Sequence, residues 1–567
     1  MASNWFVETL RHHPEMALFL TLALGYLIGR LRVGGVTLGA VVGVLIAGVV
    51  IGQLGVKVSN DLKTAFFLLF LFSIGYRTGP QFFSGLRASG GPQLALTAIF
   101  AGTALAVGYA LARAFGYDAG TAAGLIAGGV TESATVGTAT DAINRLAIDA
   151  PAKQQLISNL AVAFAVTYFL GVVTTLTFLS RVAPRILGVD LQAECKALEK
   201  EMGVIGEEHA ASAYRSFLVR AYRVESGDWA GRTVGEIERA QIEKRRRMMI
   251  VRLRRGEELL EATPDLRLTR GDTIVLAGRR AFVVDDGIAV GPEMDDKVLL
   301  DFPVETLEVV VTSKEVAGRS IGELMDRDAE DLARGVGLRG ITRAGVELPW
   351  TLKTVVSRGD VVTLVGLPRD LERVAARLGY ADRPGSVTDM VAVGAAVFLG
   401  GMIGIPALLI GKLEIGLSQS VGVLLGGLVL GWLRSIDRRF PRLPEAALWL
   451  FDSVGLTAFL AVTALAAGPD FVQGLQKSGV SLVIAGLAMV LVPQLVTLLA
   501  GRFIFRMHPG ILLGVCCGAG TSAPSLAAVQ EAAKSKIPTL GYGVTYAVGN
   551  VLLALWGTVI ILLMNTP

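Results

Sequence analysis

Apolar positions along this chain gather into two series of six runs, separated by a long stretch in which they alternate with charge. The first series covers approximately residues 14–31, 35–56, 62–82, 91–115, 119–140 and 153–180, and the second 386–411, 415–433, 446–467, 478–500, 508–530 and 538–564. Each run is long enough to cross a hydrocarbon layer of about 30 Å as a helix. The pattern therefore predicts a polytopic α-helical membrane protein with an aqueous insertion.

The two series repeat each other. GVLIAGVVIG (43–52) matches GVLLGGLVLG (422–431), and GPQFFSGLRASG (79–90) matches GPDFVQGLQKSG (468–479). The fifth runs agree as well: GLIAGGVTESATVGTATD (124–141) sets Gly124, Gly128, Thr131, Thr135 and Asp141 against Gly514, Gly518, Thr521, Ser525 and Glu531 of GVCCGAGTSAPSLAAVQE (514–531). Glycines and Pro524 loosen the backbone of these segments where lipid offers polar groups no partner, so they must line a cavity inside protein. Paired interrupted segments point to a transporter site near the bilayer midplane. Close helix packing alone explains Gly124 and Gly128 equally well, but Glu132, Ser133 and Thr138 add polar and ionisable groups that a packing seam does not require.

Basic residues decide how the runs are threaded. Arg30 and Arg32 follow the first run, Arg87 the third, and Arg181 and Arg185 the sixth. Six full crossings would put the first and last groups on opposite faces. Five crossings with a re-entrant fifth run put all of them on the cytoplasmic face. A second half that starts inside places Arg434, Arg502, Arg506, Lys534 and Lys536 inside too. The expected fold is two inverted repeats, each of five crossings plus one re-entrant segment, with both termini outside and the re-entrant tips meeting mid-membrane.

The polar stretch is also duplicated. AGRTVGEIE (230–238) and TRGDTIVLAG (269–278) return as AGRSIGELM (317–325) and SRGDVVTLVG (357–366). Short β-branched strands, Arg-Gly-Asp turns and one helix per copy predict a compact α+β unit. Each copy resembles the RCK-C domain of potassium-conductance regulators. No GxGxxG follows a strand, so the dinucleotide-binding module that often precedes RCK-C is not expected. The expected boundaries are 1–185 for the first membrane repeat, 186–295 and 296–383 for the two RCK-C copies, and 384–567 for the second repeat.

Composition supports the membrane assignment: 52% of the 567 residues are hydrophobic and the mean hydropathy is +0.57, too apolar for a soluble enzyme of this size. The net charge of +4 argues orientation and not nucleic acid. The N-terminus opens MASNWFVETLRHHPEM and leads into successive apolar runs, so no cleavable signal is expected. Cys195, Cys516 and Cys517 offer neither a disulfide framework nor zinc spacing and read as packing residues. With His12 and His13 in the N-terminal tail, His209 in the polar stretch and His508 before the second broken segment, neither a metal site nor a Ser-His pair is expected. The chain is not expected to be an enzyme or to need a cofactor.

Arg77 ends the third run, between Gly75 and Gly79-Pro80. A guanidinium at membrane depth costs about 2.5–3.5 kcal/mol on insertion scales, so it should face a polar cavity, where its fork suits a carboxylate. The alternative is an interfacial arginine that snorkels to the cytoplasm. Its counterpart is Ala466, so the duplication supplies one cation to the site. The hydroxyls of Thr131, Ser133, Thr135, Thr521, Ser522 and Ser525 can take further carboxylate oxygens, together with helix N-termini. Glu132 and Asp141 are candidates for an ammonium group, a coupling cation or a proton, with a helix cap the competing role for Asp141. Asp452 is a weaker candidate, and Glu414 reads as interfacial.

Two membrane halves around two RCK-C copies, with GYRTGPQFF (75–83) and GGVTESATVGTATDAI (128–143), resemble the aspartate:alanine exchanger family over essentially the whole chain. The resemblance implies exchange of aspartate for alanine across the bacterial inner membrane, a homodimer, a functional arginine at Arg77 and an acidic residue at Glu132 or Asp141. A dicarboxylate exporter of succinate type is the nearest alternative. An RCK-gated channel is the other class, but no selectivity loop like TVGYG is present.

Overall fold

In the computed structural model, described for residues 2–565 apart from 34–35, 57, 88–90, 203–216, 244–247, 280–282, 285–288, 328–335, 344–345, 349, 382–387, 411–412, 417 and 438–439, the first apolar series folds as α1 (Pro14–Gly29), α2 (Gly39–Gly52), α3 (Asn60–Arg87), α4 (Gly91–Phe115), the pair α5 (Ala119–Gly129) and α6 (Ala134–Arg145), and α7 (Ala150–Thr177). The second folds as α8 (Met390–Gly404), α9 (Gln419–Ile436), α10 (Gly455–Leu499), the pair α11 (Pro509–Ala519) and α12 (Ala523–Ala533), and α13 (Thr539–Asn565). Among the described residues, six helical stretches are long and apolar enough to cross a membrane: Gly91–Phe115, Ala150–Ile186, Gln419–Ile436, Glu445–Pro469, Gly479–Ile504 and Thr539–Asn565.

Two features depart from the run lengths. The opening runs of each half are cut short as helices by small antiparallel hairpins, Arg32–Val33 with Val36–Thr37 and Ala407–Ile410 with Leu413–Gly416. The third and fourth runs of the second half join into the single 45-residue α10, with Pro469 and Pro493 inside it. Hydropathy counts apolar residues and is blind to where the backbone turns or continues.

The repeats interlock through glycines. A Cβ on Gly427 or Gly431 would strike the backbone of Phe72 or Tyr76, and one on Gly48 or Gly52 would strike Ala461 and Ala464 or Leu465. These are the same contacts with the repeats exchanged. The first three helices of each half thus form one intertwined group. In the second group, Gly124 and Gly128 pack on Leu160 and Thr167 of α7, while Gly514 and Gly518 pack on Pro538 and Thr545 beside and within α13. The glycines read as a packing seam are therefore that, and they also hold the broken segments in place.

The soluble part forms two sheets with one topology. In the first, β1 (Phe217–Arg223), β2 (Met248–Arg255), β3 (Glu258–Glu261), β4 (Thr273–Arg279) and β5 (Glu293–Met294) lie in the order β3-β2-β4-β1-β5. In the second, β6 (Glu305–Val311), β7 (Val336–Arg343), β8 (Val346–Leu348), β9 (Val361–Gly366) and β10 (Gly379–Ala381) lie in the order β8-β7-β9-β6-β10. Contacts divide the chain into one compact unit of Met1–Leu198, Thr342–Leu348 and Pro384–Pro567 and another of Glu199–Ile341 and Pro349–Arg383.

The repeated GRxxGE text is a capping box. Thr233 N donates to Glu236 Oε2 at 2.9 Å while Glu236 N donates to Thr233 Oγ1 at 3.2 Å, and Ser320 and Glu323 repeat this at 3.0 and 3.2 Å. The Arg-Gly-Asp turn closes each unit in the same way. Gly271 and Gly359 adopt φ of +95° and +89°, and Asp272 and Asp360 accept from the N–H groups of Thr269 (2.8 Å) and Ser357 (2.7 Å). Asp272 also accepts two hydrogen bonds from the Arg255 guanidinium, at 3.0 and 2.8 Å. Burial alone would raise its pKa, but these bonds from Arg255 and Thr269 hold it below the usual carboxylate value. Its contribution to stability is complete above the unfolded value of about 3.9 and is lost as pH falls through the lower folded value. Asp272→Asn should cost about 2 kcal/mol at neutral pH, read as earlier proteolysis of residues 217–294 in the full chain.

Candidate functional site

Both broken segments are helical hairpins whose legs, of 11 or 12 residues, reach only about 17 Å, roughly half a bilayer core. Their tips are built identically. Thr131 N donates to Gly128 O (3.0 Å) and Glu132 N to Ala127 O (2.9 Å); Thr521 N donates to Gly518 O (2.9 Å) and Ser522 N to Cys517 O (2.9 Å). This is a Schellman closure, which ordinarily carries glycine at the left-handed position. Here Thr131 and Thr521 occupy it, at φ of +57° and +52°, and a β-branched residue there is strained. Thr131→Gly should therefore raise the stability of the detergent-solubilised protein by about 1 kcal/mol, seen as a higher melting temperature. A lower one would show that threonine is the better fit.

The tips meet: Thr131 Oγ1 donates to Gly520 O at 3.5 Å. Glu132 is buried, with Oε1 accepting from Ala134 N at 3.0 Å, so it caps the second leg of its own hairpin. Thr521 of the opposite hairpin lies against the Glu132 carboxylate, and its buried hydroxyl has no hydrogen-bond partner among the described residues.

Four further side chains complete the cluster. Asp452 sits in a π-bulge, Leu450–Val454, where the helix of the first repeat runs unbroken; its charge acts on Glu132, and that of Arg77 acts on it. Arg77, 40% exposed, pairs with Glu445 Oε2 at 3.2 Å. Tyr168 of α7 lies beside Ser133 and in the field of Glu132. Tyr546 of α13, whose backbone carbonyl accepts from Asn550 Nδ2 at 2.7 Å, lies in the field of Glu132, Asp452 and Arg77. Both tyrosines are half-buried. Neither was singled out from the sequence, although VTYFLG (166–171) and VTYAVG (544–549) are a visible internal repeat.

The remaining candidates lie elsewhere. The Thr135 hydroxyl donates to Leu553 O at 2.9 Å and that of Thr138 to Ala554 O at 2.6 Å, so both fasten α6 to α13 and are fully buried in doing so. Ser522 and Ser525 hydrogen-bond to each other at 2.7 Å. Pro524 stands in the first turn of α12, where proline fits a helix start. Asp141 is no cap: it lies inside α6, accepts from Ser420 Oγ, and interacts electrostatically with Arg145 and the buried Lys63. His508 caps α11, its Nδ1 accepting from Gly510 N at 3.2 Å; His209 lies outside the described residues. Cys195, Cys516 and Cys517 are buried thiols, and among the described residues no His, Cys, Asp and Glu group could hold a metal.

The hairpins differ in one respect. On α6 the face formed by Ala134 and Gly137 is buried, with Gly137 against the Phe67 ring of α3 and Asp141 on Ser420 of α9. On α12 the corresponding face, Ala523, Pro524, Ala527 and Glu531, is exposed. The first hairpin is closed against α3 and α9, and the corresponding face of the second is uncovered.

A family model described as Predicted Permease Membrane Region, Asp-Al_Ex, matches residues 17–183 and 392–562. The chain belongs to this aspartate–alanine exchanger family. A TrkA-C domain matches residues 219–281 of the permease, and the second sheet carries the same strand order. An uncharacterized transporter of Shewanella oneidensis is 38% identical over 99% of this chain and 100% of its own length. An uncharacterized transporter of Bradyrhizobium diazoefficiens is 39% identical over 91% and 100%, and one of Zymomonas mobilis 32% over 98% and 99%. No solved structure matches the permease.

Proposed function

We propose that this permease is a secondary antiporter of the bacterial inner membrane that takes up aspartate in exchange for alanine by alternating access. The observation that carries the reading is a chain of electrostatic neighbours beside the crossed hairpin tips: Arg77 acts on Asp452, Asp452 acts on Glu132, and Tyr168 and Tyr546 lie in the field of Glu132. An acidic amino acid supplies the complement: carboxylates for Arg77 and the hydroxyls, an ammonium for the acids. A dicarboxylate such as succinate would leave both acids unanswered.

Arginine and lysine placement puts the second hairpin on the cytoplasmic side, so its uncovered face corresponds to an inward-open state. Cysteines placed at Asn144 and Lys534 should accordingly be labelled from opposite sides of the membrane; labelling from one side would refute the inverted threading. Aspartate in for alanine out moves one negative charge inward per cycle, coupled to the potential at about 2.3 kcal/mol per 100 mV. The proposal is tested by counterflow. Purified protein in alanine-loaded vesicles should accumulate labelled aspartate, with none without internal alanine, and uptake that ignores the internal load would refute exchange.

A further inference from the structure

The shift that carries Gly79-Pro80 onto Gly468-Pro469 also carries Lys63 onto Asp452, and the shift that carries Thr131 onto Thr521 carries Asp141 onto Glu531. The glycine contacts exchanged between the repeats show that the first of these shifts holds in space at Phe72 and Ala461 and at Tyr76 and Leu465. On the first hairpin's side, Lys63 and Asp141 are opposite charges that interact across the closed interface, with Ser420 as a third partner. On the second hairpin's side, the corresponding pair is Asp452 and Glu531. Both are acids.

That interface is the open one: Glu531 is exposed, together with Ala523, Pro524 and Ala527 on the same face of α12. Inverted repeats alternate by exchanging the arrangements of their halves. Closing the second side in the manner of the first would bring Glu531 toward Asp452, as Asp141 now stands toward Lys63. Two carboxylates brought together in a low-dielectric interface repel strongly. Arg77 acts on Asp452 from a side chain that is 40% exposed and 3.2 Å from Glu445, and on the exchange reading it is the group that takes the substrate carboxylate.

Resting on that reading, we propose that Asp452 and Glu531 are the residues that read the substrate's ammonium group. The cleft beside the second hairpin shuts most readily when an amino acid places its ammonium between them. The empty protein shuts there only against the repulsion of the two acids, so the loaded inward-to-outward step is favoured over the empty one. The arrangement selects amino acids over dicarboxylates lacking an amine, which supply no cation. Net uptake is suppressed because the unloaded return, from inward-open to outward-open, requires the two acids to meet uncompensated.

The test uses full-length protein in everted membrane vesicles, cytoplasmic face outward, loaded with labelled alanine. The wild type should release label roughly tenfold or more faster with external aspartate than without it. Glu531→Gln should release label without external substrate at a rate approaching exchange. Release from Glu531→Gln that still depends strictly on external substrate overturns the proposal. A second reading does not depend on turnover. A cysteine at Ala527 should react with a membrane-impermeant thiol reagent in the substrate-free wild-type background, be protected by alanine, and be protected in Glu531→Gln without substrate. Equal labelling in the two substrate-free backgrounds overturns the proposal as well. Failure of the exchange reading looks different: the wild type itself then releases no label in response to aspartate.

Discussion

Arg77→Lys is expected to lower aspartate uptake in the counterflow assay by roughly 100-fold, the free-energy equivalent of losing a charge-assisted bidentate contact in a partly enclosed site. Lysine keeps the charge but offers a point donor on a flexible stem, and it cannot hold two carboxylate oxygens in one plane. The loss should fall on both substrates, since alanine and aspartate share the α-carboxylate. The control is the residue that Arg77 now touches. Glu445 is 72% exposed at the rim, where an ion pair is worth little, about 0–1 kcal/mol, so Glu445→Gln should transport within a few-fold of the wild type. If Arg77→Lys keeps full affinity, or if Glu445→Gln falls as far, the carboxylate role passes from Arg77 to something else.

Glu132→Gln is the second large effect. The carboxylate has two jobs that substitution separates: Oε1 accepts the Ala134 N–H that starts α6, and the negative charge faces Thr521, Tyr168 and Tyr546 across the crossed tips. Glutamine retains an acceptor of the same shape and drops the charge. Melting temperature in detergent should therefore stay close to that of the wild type while exchange falls by roughly 10- to 100-fold. Glu132→Ala removes the acceptor as well and should lower the melting temperature in addition, by the about 1 kcal/mol that a lost helix cap costs. Equal transport by the glutamine variant would reduce Glu132 to a structural cap.

The two candidate acids, indistinguishable by spacing alone, are separated by their neighbours in space. Glu132 stands at a hairpin tip among groups drawn from both repeats, and Asp141 is engaged by Ser420 and Lys63, which come from α9 and α3. Thr135 and Thr138 looked like ligands because hydroxyls in a membrane segment need partners. They have them, in the carbonyls of Leu553 and Ala554 more than 400 residues along the chain. Tyr168 and Tyr546 passed as ordinary aromatics in apolar runs, since nothing local marks a phenol that faces a carboxylate.

By itself the sequence determined the duplication, the membrane class, the paired glycine-broken segments, the lone arginine opposite Ala466 and the repeated capping box and Arg-Gly-Asp turns. All of these are written in local composition or in text that recurs at a fixed shift. Only the tertiary structure decided which hydroxyls are spent on packing, that each hairpin tip bends through a left-handed threonine, and that one hairpin is covered while the other is open. Those outcomes depend on contacts between α3, α6, α9 and α13, whose residues are hundreds of positions apart, and on which of two equivalent interfaces the chain has closed. No single window of sequence carries the energy of either.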